Sequence, residues 1–316
     1  MWRTIRTGGC AYGDQQGYAG RAESAVLPDI DLKRNYKLVR GVVGITHYHI
    51  RKPFYTVWDH TIDAWDHEIP VRHNIFPMTE ENRKTPVVGV FHGGNWVTGN
   101  IDSYDKVCAN LAKNTGHTVL SVDYRLAPEY RFPAGLEDCY LALQEAFAQA
   151  ELLGTKPEQI TLIGDSAGGN LAAAVSLLTR PGRVLPGRQI LIYPAPTTTT
   201  PTLHRLPPVR ENGTDFLLTS KRIRDYMELY LSNEQDRESP YFAPLLAEDL
   251  SEQPKTLVIT AAFDPLRDEG EAYGEKLRAA GNSVEIHRVE DALHGFFSLP
   301  PRFRRLGSAM RSSIDF

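Results

Sequence analysis

Gln159-Ile160-Thr161-Leu162-Ile163-Gly164-Asp165-Ser166-Ala167-Gly168-Gly169-Asn170-Leu171-Ala172-Ala173-Ala174 is the stretch on which the reading of this chain turns. Ile160, Leu162 and Ile163 mark a short buried strand that stops at Gly164. A helix of small residues begins just past Ser166. The link between them, Gly164-x-Ser166-x-Gly168, has the form of a nucleophile elbow. A strand that turns so sharply into a helix forces the serine into a strained backbone and pushes its hydroxyl out above the sheet. Glycine two residues to either side lets strand and helix approach where a Cβ would clash. The new helix also aims free N–H groups and its positive dipole end at the place where an oxyanion would form.

The chain around it is of ordinary globular composition. Its 316 residues are 41% hydrophobic and 23% charged, enough for one large core plus an appendage. A net charge of −4 offers no basic field for nucleic acid or an anionic membrane. No run approaches the roughly 18 apolar residues of a membrane span. Residues 1–29 mix Arg, Asp and Glu and do not read as a signal peptide. Cys10, Cys108 and Cys139 have unrelated spacings, which suggests neither a zinc site nor a disulfide framework. The expected setting is the reducing cytoplasm.

Outward from the elbow, strands alternate with helices. Tyr55–Trp58 and Ile69–Arg72 read as two strands joined by a turn around Asp63–His67, and Thr79–Thr85 as a loop. Val87-Val88-Gly89-Val90-Phe91 is an apolar run of the buried parallel kind. A helix is predicted over 103–114 and a strand over 118–122. Leu136, Tyr140, Leu143 and Phe147 then fall on one helical face. Beyond the elbow come strands at 189–193, 256–260 and 284–289, a helix carrying Tyr273 and Leu277, and a last helix striped by Phe303, Leu306, Met310 and Ile314. Repeated βα units predict an α/β class fold, a mostly parallel sheet with helices on both faces. Residues 195–250, with a helix-like piece over 221–231, interrupt this pattern after a strand's carboxyl end, where such sheets bind ligands. Together with residues 1–54 they read as a cap over a catalytic body formed by 55–194 and 251–316.

A serine nucleophile needs a base, and the base an orienting acid. In the α/β-hydrolase plan these follow in the order Ser, Asp or Glu, His. Three histidines follow Ser166. His204 lies in the proline-rich insertion and His287 inside a strand. His294 sits just past the last strand, where a loop can swing an imidazole over the sheet edge. Asp264 stands at the carboxyl end of the 256–260 strand, with Pro265 setting the turn behind it. Asp268 and Glu269 open the next helix, where the dipole alone favours acids. Asp291 is the outsider, close to His294 on one loop. After the 87–91 strand, His92-Gly93-Gly94-Asn95-Trp96 offers backbone N–H groups to a cleft, with His92 read as structural.

With these residues in view, the chain resembles the hormone-sensitive-lipase-like family of α/β-hydrolase carboxylesterases. The likeness is carried by His92-Gly93-Gly94-Asn95-Trp96, Asp123-Tyr124-Arg125-Leu126-Ala127-Pro128-Glu129 with Phe132-Pro133-Ala134, the Gly164–Asn170 elbow, Asp264–Gly270 and His294-Gly295-Phe296. The resemblance implies an α/β-hydrolase fold with an eight-stranded sheet, capped by the N-terminal segment and the insertion after strand 6. It implies a triad of Ser166, Asp264 and His294 and no cofactor or metal. It also implies an oxyanion hole from N–H groups of Gly94, Asn95 and Ala167, with Gly93 shaping the loop. Asn95 replaces the family's third glycine; Asn tolerates unusual φ better than other side chains, so the hole is expected to survive. The implied activity is hydrolysis of short- to medium-chain acyl esters, with a small-molecule ester as substrate. The His-Gly-Gly-x-Trp form is also similar to arylformamidases, which keeps an amide-cleaving alternative open. Plant gibberellin receptors resemble the family too but lose the histidine, which this chain keeps. An edge strand offers a surface on which two copies could pair into a homodimer.

Overall fold

The computed structural model describes residues 31–46, 56–75, 87–179, 184–197 and 218–298. The Thr79–Thr85 loop, His204, most of the insertion's first half and the predicted last helix lie outside them. Eight strands form one sheet: β1 (Thr56–Asp63), β2 (Glu68–Ile75), β3 (Val87–Phe91), β4 (Thr118–Val122), β5 (Thr161–Asp165), β6 (Arg188–Ile192), β7 (Lys255–Phe263) and β8 (Val284–Leu293). Their spatial order is β1-β2-β4-β3-β5-β6-β7-β8. The β1–β2 and β2–β4 pairs are antiparallel, and every other pair is parallel.

Among the described residues six α-helices accompany the sheet: α1 (Leu32–Thr46), α2 (Ile101–Thr115), α3 (Ala134–Ala148), α4 (Ala167–Leu178), α5 (Ser220–Tyr230) and α6 (Arg267–Ala279). Period-two alternation sends strand side chains to two cores. Phe91, Leu162, Leu191 and Val258 point to the side of α3, α4 and α6. Val90, Ile163, Ile192 and Ile259 meet Val107, Cys108 and Leu111 of α2 on the other side. α4 is buried from Ala167 to Leu177. Its Gly-Gly-Asn-Leu-Ala-Ala-Ala start is small enough to lie close against β5.

α2 begins two residues earlier than the periodicity predicts, because Asn100 and Ser103 cap it reciprocally. The turn of the β1–β2 hairpin is tied to the body through Asp138. That buried carboxylate accepts from His67 Nε2 at 2.8 Å and from the Arg125 backbone N–H at 2.7 Å. α1 lies against α5, with Lys33 paired to Glu228. No helix among the described residues is long and apolar enough to cross a membrane.

Cys108 and Cys139 are free and buried, and burial pushes the Cys108 thiol up to about 12 and Cys139 likewise upward. Since the thiolate is the reactive species, iodoacetamide is expected to leave both unmodified in the folded protein and to alkylate both after denaturation. Peptide mapping of the native protein checks this, and a carbamidomethyl adduct on either residue would contradict it.

Candidate active site

The chain runs from β3 outward to β4 on one side and through β5 to β8 on the other, so strand order reverses between β3 and β5. Ligands of open α/β sheets bind outside the carboxyl ends of the strands at such a point. The carboxyl end of β3 leads into His92-Gly93-Gly94-Asn95, and that of β5 into Ser166. On the next strands outward, β7 leads to Asp264 and β8 to His294. A register shift near Ala261 restores pairing at Phe263 opposite Leu293. The residues that follow, Asp264 and His294, therefore leave neighbouring strands side by side.

Ser166 has φ 55° and ψ −117°, the strained turn that the glycine spacing predicts. Its backbone is held on both sides, since its N–H donates to Ile192 O at 2.9 Å and its carbonyl accepts from Asn170 N at 3.0 Å. His294 Nε2 lies 3.0 Å from Ser166 Oγ, and His294 Nδ1 lies 2.7 Å from Asp264 Oδ2. The second carboxylate oxygen of Asp264 accepts the Leu266 N–H at 2.8 Å. Asp264 has no exposed surface and Ser166 only 4%. A carboxylate can only accept, so Nδ1 carries the ring proton and the Nε2 lone pair faces the serine hydroxyl. The sequence's other candidates are elsewhere. His287 sits beside Glu285 on β8, and Asp291 is exposed.

The glycine loop is a left-handed run: Gly94, Asn95 and Trp96 have φ of 122°, 55° and 59°. The N–H groups of Gly94, Asn95 and Ala167 find no acceptor among the described residues. Adjacent positive-φ residues present successive N–H groups to a concavity, which suits an anion. Trp96 accepts its unusual φ while its indole is buried in a stack on Tyr230, 4.7 Å between centroids, with Phe242 behind. His92 is buried, donates from Nδ1 to Gly93 O at 2.8 Å, and is pushed down to about 4 by desolvation, so it stays neutral. Tyr124 of the Asp123–Glu129 motif donates to His92 O at 2.7 Å. Glu129 of the same motif takes a two-pronged bond from Arg40 of α1, which also holds Val97 O.

Two acids differ from the sequence reading or escape it. Glu269 does open α6, yet it is buried with Oε1 unpartnered among the described residues. Burial and the nearby Asp264 charge hold its carboxyl well above the usual range, which disfavours the anion that the helix dipole would attract. Asp165 received no role from the sequence. It lies buried at the end of β5, and desolvation lifts it to about 6 against the pull of Tyr104, Tyr193 and the Gly93 N–H. Because that value lies above the free carboxyl's, ionised Asp165 costs folding free energy above about pH 6 rather than supplying it. The available signal was its place: an acid inside an otherwise apolar strand end.

An eight-stranded, mostly parallel sheet carrying Ser, Asp and His at the ends of β5, β7 and β8 is the architecture of an α/β hydrolase. A family model described as alpha/beta hydrolase fold matches residues 88–298. The chain is 37% identical to an arylesterase of Saccharolobus solfataricus over 78% of its own length and 79% of the relative's. It is 40% identical to the carboxylic ester hydrolase LipN of Mycobacterium tuberculosis over 73% of this chain, and the match spans 62% of that relative. Among solved structures, a hyperthermophilic esterase from the archaeon Pyrobaculum calidifontis superposes with a TM-score of 0.80 at 34% identity, covering 96% of this chain and 97% of that one. The chain belongs to the hormone-sensitive-lipase-like family of α/β-hydrolase carboxylesterases.

Proposed function

We propose that this protein hydrolyses short- to medium-chain acyl esters through an acyl-enzyme on Ser166, with His294 as base and Asp264 as its orienting acid. The observation that carries this reading is the unbroken chain of contacts from Asp264 Oδ2 through His294 to Ser166 Oγ, at 2.7 and 3.0 Å. His294 Nε2 takes the hydroxyl proton as Oγ bonds to the ester carbonyl carbon. The carbonyl oxygen becomes an oxyanion, held by the N–H groups of Gly94, Asn95 and Ala167. Each such donor is worth about 10²–10³ in rate. The carbon–alkoxide bond then breaks, His294 gives its proton to the leaving oxygen, and the acyl group stays on Ser166. Water repeats the sequence, passing a proton to His294 and releasing the acid while Ser166 recovers its hydrogen. Asp264 keeps the imidazole in the required tautomer and stabilises the imidazolium.

Residues 1–54 and 195–250 act as the cap in this reading. Its support is the packing of α1 on α5 and the stack of Tyr230 and Phe242 against Trp96, beside Asn95. The protein is proposed to work in the cytoplasm on small esters, without nucleic acid.

Diethyl p-nitrophenyl phosphate supplies the test. It is expected to release one p-nitrophenolate per chain, abolish activity and leave a diethylphosphoryl adduct on the Ser166 peptide. An adduct elsewhere, or none with activity intact, overturns the assignment. In the same preparations, acetyl and butyryl p-nitrophenyl esters are expected to turn over faster than the palmitoyl ester, and far faster than matched anilides. Equal ester and anilide rates would favour the amide-cleaving alternative.

A further inference from the structure

We propose that Tyr193 is a positioning residue that clamps the catalytic-histidine turn to the nucleophile strand, acting through Asp165. The inference rests on the triad assignment above and adds a component to it. Asp165 immediately precedes Ser166, and its carboxylate is met by two tyrosines in parallel. Tyr104 Oη donates to Oδ2 at 2.8 Å and Tyr193 Oη donates to the same oxygen at 3.1 Å. Each hydroxyl also accepts one backbone N–H. For Tyr104 the donor is Gly93 of the oxyanion loop, at 3.0 Å; for Tyr193 it is Phe297, at 3.1 Å, three residues past His294. Gly93 N–H is shared with Asp165 Oδ1 at 2.9 Å. One buried carboxylate thus holds both loops that must meet Ser166, each through a tyrosine.

Tyr193 has a second point of contact. It is fully buried directly after β6, in an unusual backbone with φ 34°, and its N–H bonds Ile259 O of β7. Its ring lies 4.7 Å from the His294 imidazole, tilted by 53°, and Phe296 meets it edge-on at 4.9 Å. The turn after β8 is short, and the remaining bonds within it run from Phe296 N to Leu293 O and from Ser298 to Gly295 O. These close the turn on itself; beyond the contacts of the His294 ring with Asp264 and Ser166, the Phe297 N–H to Tyr193 is the turn's hydrogen bond to the sheet among the described residues. Tyr193 supplies the tether to the sheet and a flat surface behind the imidazole. A fully satisfied buried network is rigid, and rigidity is what a 3.0 Å proton-transfer contact needs. The desolvation cost of Asp165 fits a group kept for geometry rather than for stability.

Tyr193→Phe keeps the ring and deletes only the hydroxyl. On p-nitrophenyl butyrate its kcat is expected to fall about 10- to 100-fold, the scale of a small misplacement of a catalytic group, while KM stays within about twofold. The rate of phosphorylation by diethyl p-nitrophenyl phosphate should fall in parallel, because it uses the same Ser166–His294 contact. Asp165→Asn cuts the same tether at its other end, so the double variant is expected to be no slower than Asp165→Asn alone. Additive losses, or a Tyr193→Phe kcat within about twofold of the unaltered protein, would overturn the clamp. In the unaltered protein the Phe297 amide should exchange slowly with solvent, and fast exchange there overturns it without any variant. Ser166→Ala separates the two claims. If that variant is inert while Tyr193→Phe is fully active, the triad stands and the clamp fails. If Ser166→Ala remains active, the reading beneath the clamp fails as well.

Discussion

Ser166→Ala is expected to lower kcat for p-nitrophenyl acetate by about 10⁶, with the fold unchanged. The size follows from the number of steps that run through one oxygen. Without Oγ there is no acyl-enzyme, and the Nε2 lone pair of His294 has no serine proton to take. What survives is the oxyanion loop acting on direct attack by water, and such residual catalysis is about 10³–10⁴ over the uncatalysed rate. Stability should hardly change. Among the described residues the hydrogen bond of Oγ is with His294, and the strained backbone at φ 55° is held by the Ile192 and Asn170 contacts, which alanine keeps. The circular dichroism melt should therefore overlay that of the unaltered protein. His294→Ala should cost a comparable factor, and the double variant little more, because the residues act as one unit. A Ser166→Ala protein retaining more than about one per cent of kcat would sink the assignment, since that loss is far short of the effect of removing a nucleophile.

The three residues proposed as the triad were legible in the sequence as candidates because each is written in a short local pattern at a strand's end. Gly164-x-Ser166-x-Gly168 follows an apolar run, Asp264-Pro265 another, and His294-Gly295 a third. The strands were legible for the same reason: continuous apolar residues need burial on both faces. The insertion of β3 between β4 and β5 was not, because pairing joins residues remote in sequence and leaves no local mark. Nor was the Asp165 network. Tyr104 lies on a helix face and Tyr193 at a strand end, where aromatic residues are ordinary core, and only the fold brings their hydroxyls to one carboxylate. Glu269 misled for a related reason. Its place in the first turn of α6 suits an exposed anion, whereas the turn itself faces inward beside Asp264. Asn95 was read correctly as tolerant of positive φ. The same conformation at Trp96 required its aromatic neighbours, which the sequence scatters more than a hundred residues downstream.

Gly164→Ala is expected to leave no soluble folded protein, or to destabilise any survivor by more than about 4 kcal/mol, a range reached only by a few named mechanisms. The mechanism here is a collision of backbone with a new Cβ. An added Cβ at Gly164 would stand 2.0 Å from Gly168 O, 2.3 Å from Gly168 C and 2.7 Å from Gly169 N. All three atoms belong to the first turn of α4, so no side chain can rotate away. Relief must come from moving α4 off β5, yet α4 is buried along nearly its whole length. Gly281→Ala is the control. It has φ 91° with nothing within 4 Å of the added carbon, so its cost is backbone strain alone, about 1–3 kcal/mol. Soluble yield and thermal melts of the two variants make the comparison, and a Gly164→Ala protein melting above Gly281→Ala would refute it. Activity adds a second criterion. The turn that strains Ser166 exists only while β5 and α4 touch with no side chain between them. A Gly164→Ala protein that folds by spreading them must also turn the hydroxyl away from His294, and should lose hydrolysis together with phosphorylation by diethyl p-nitrophenyl phosphate.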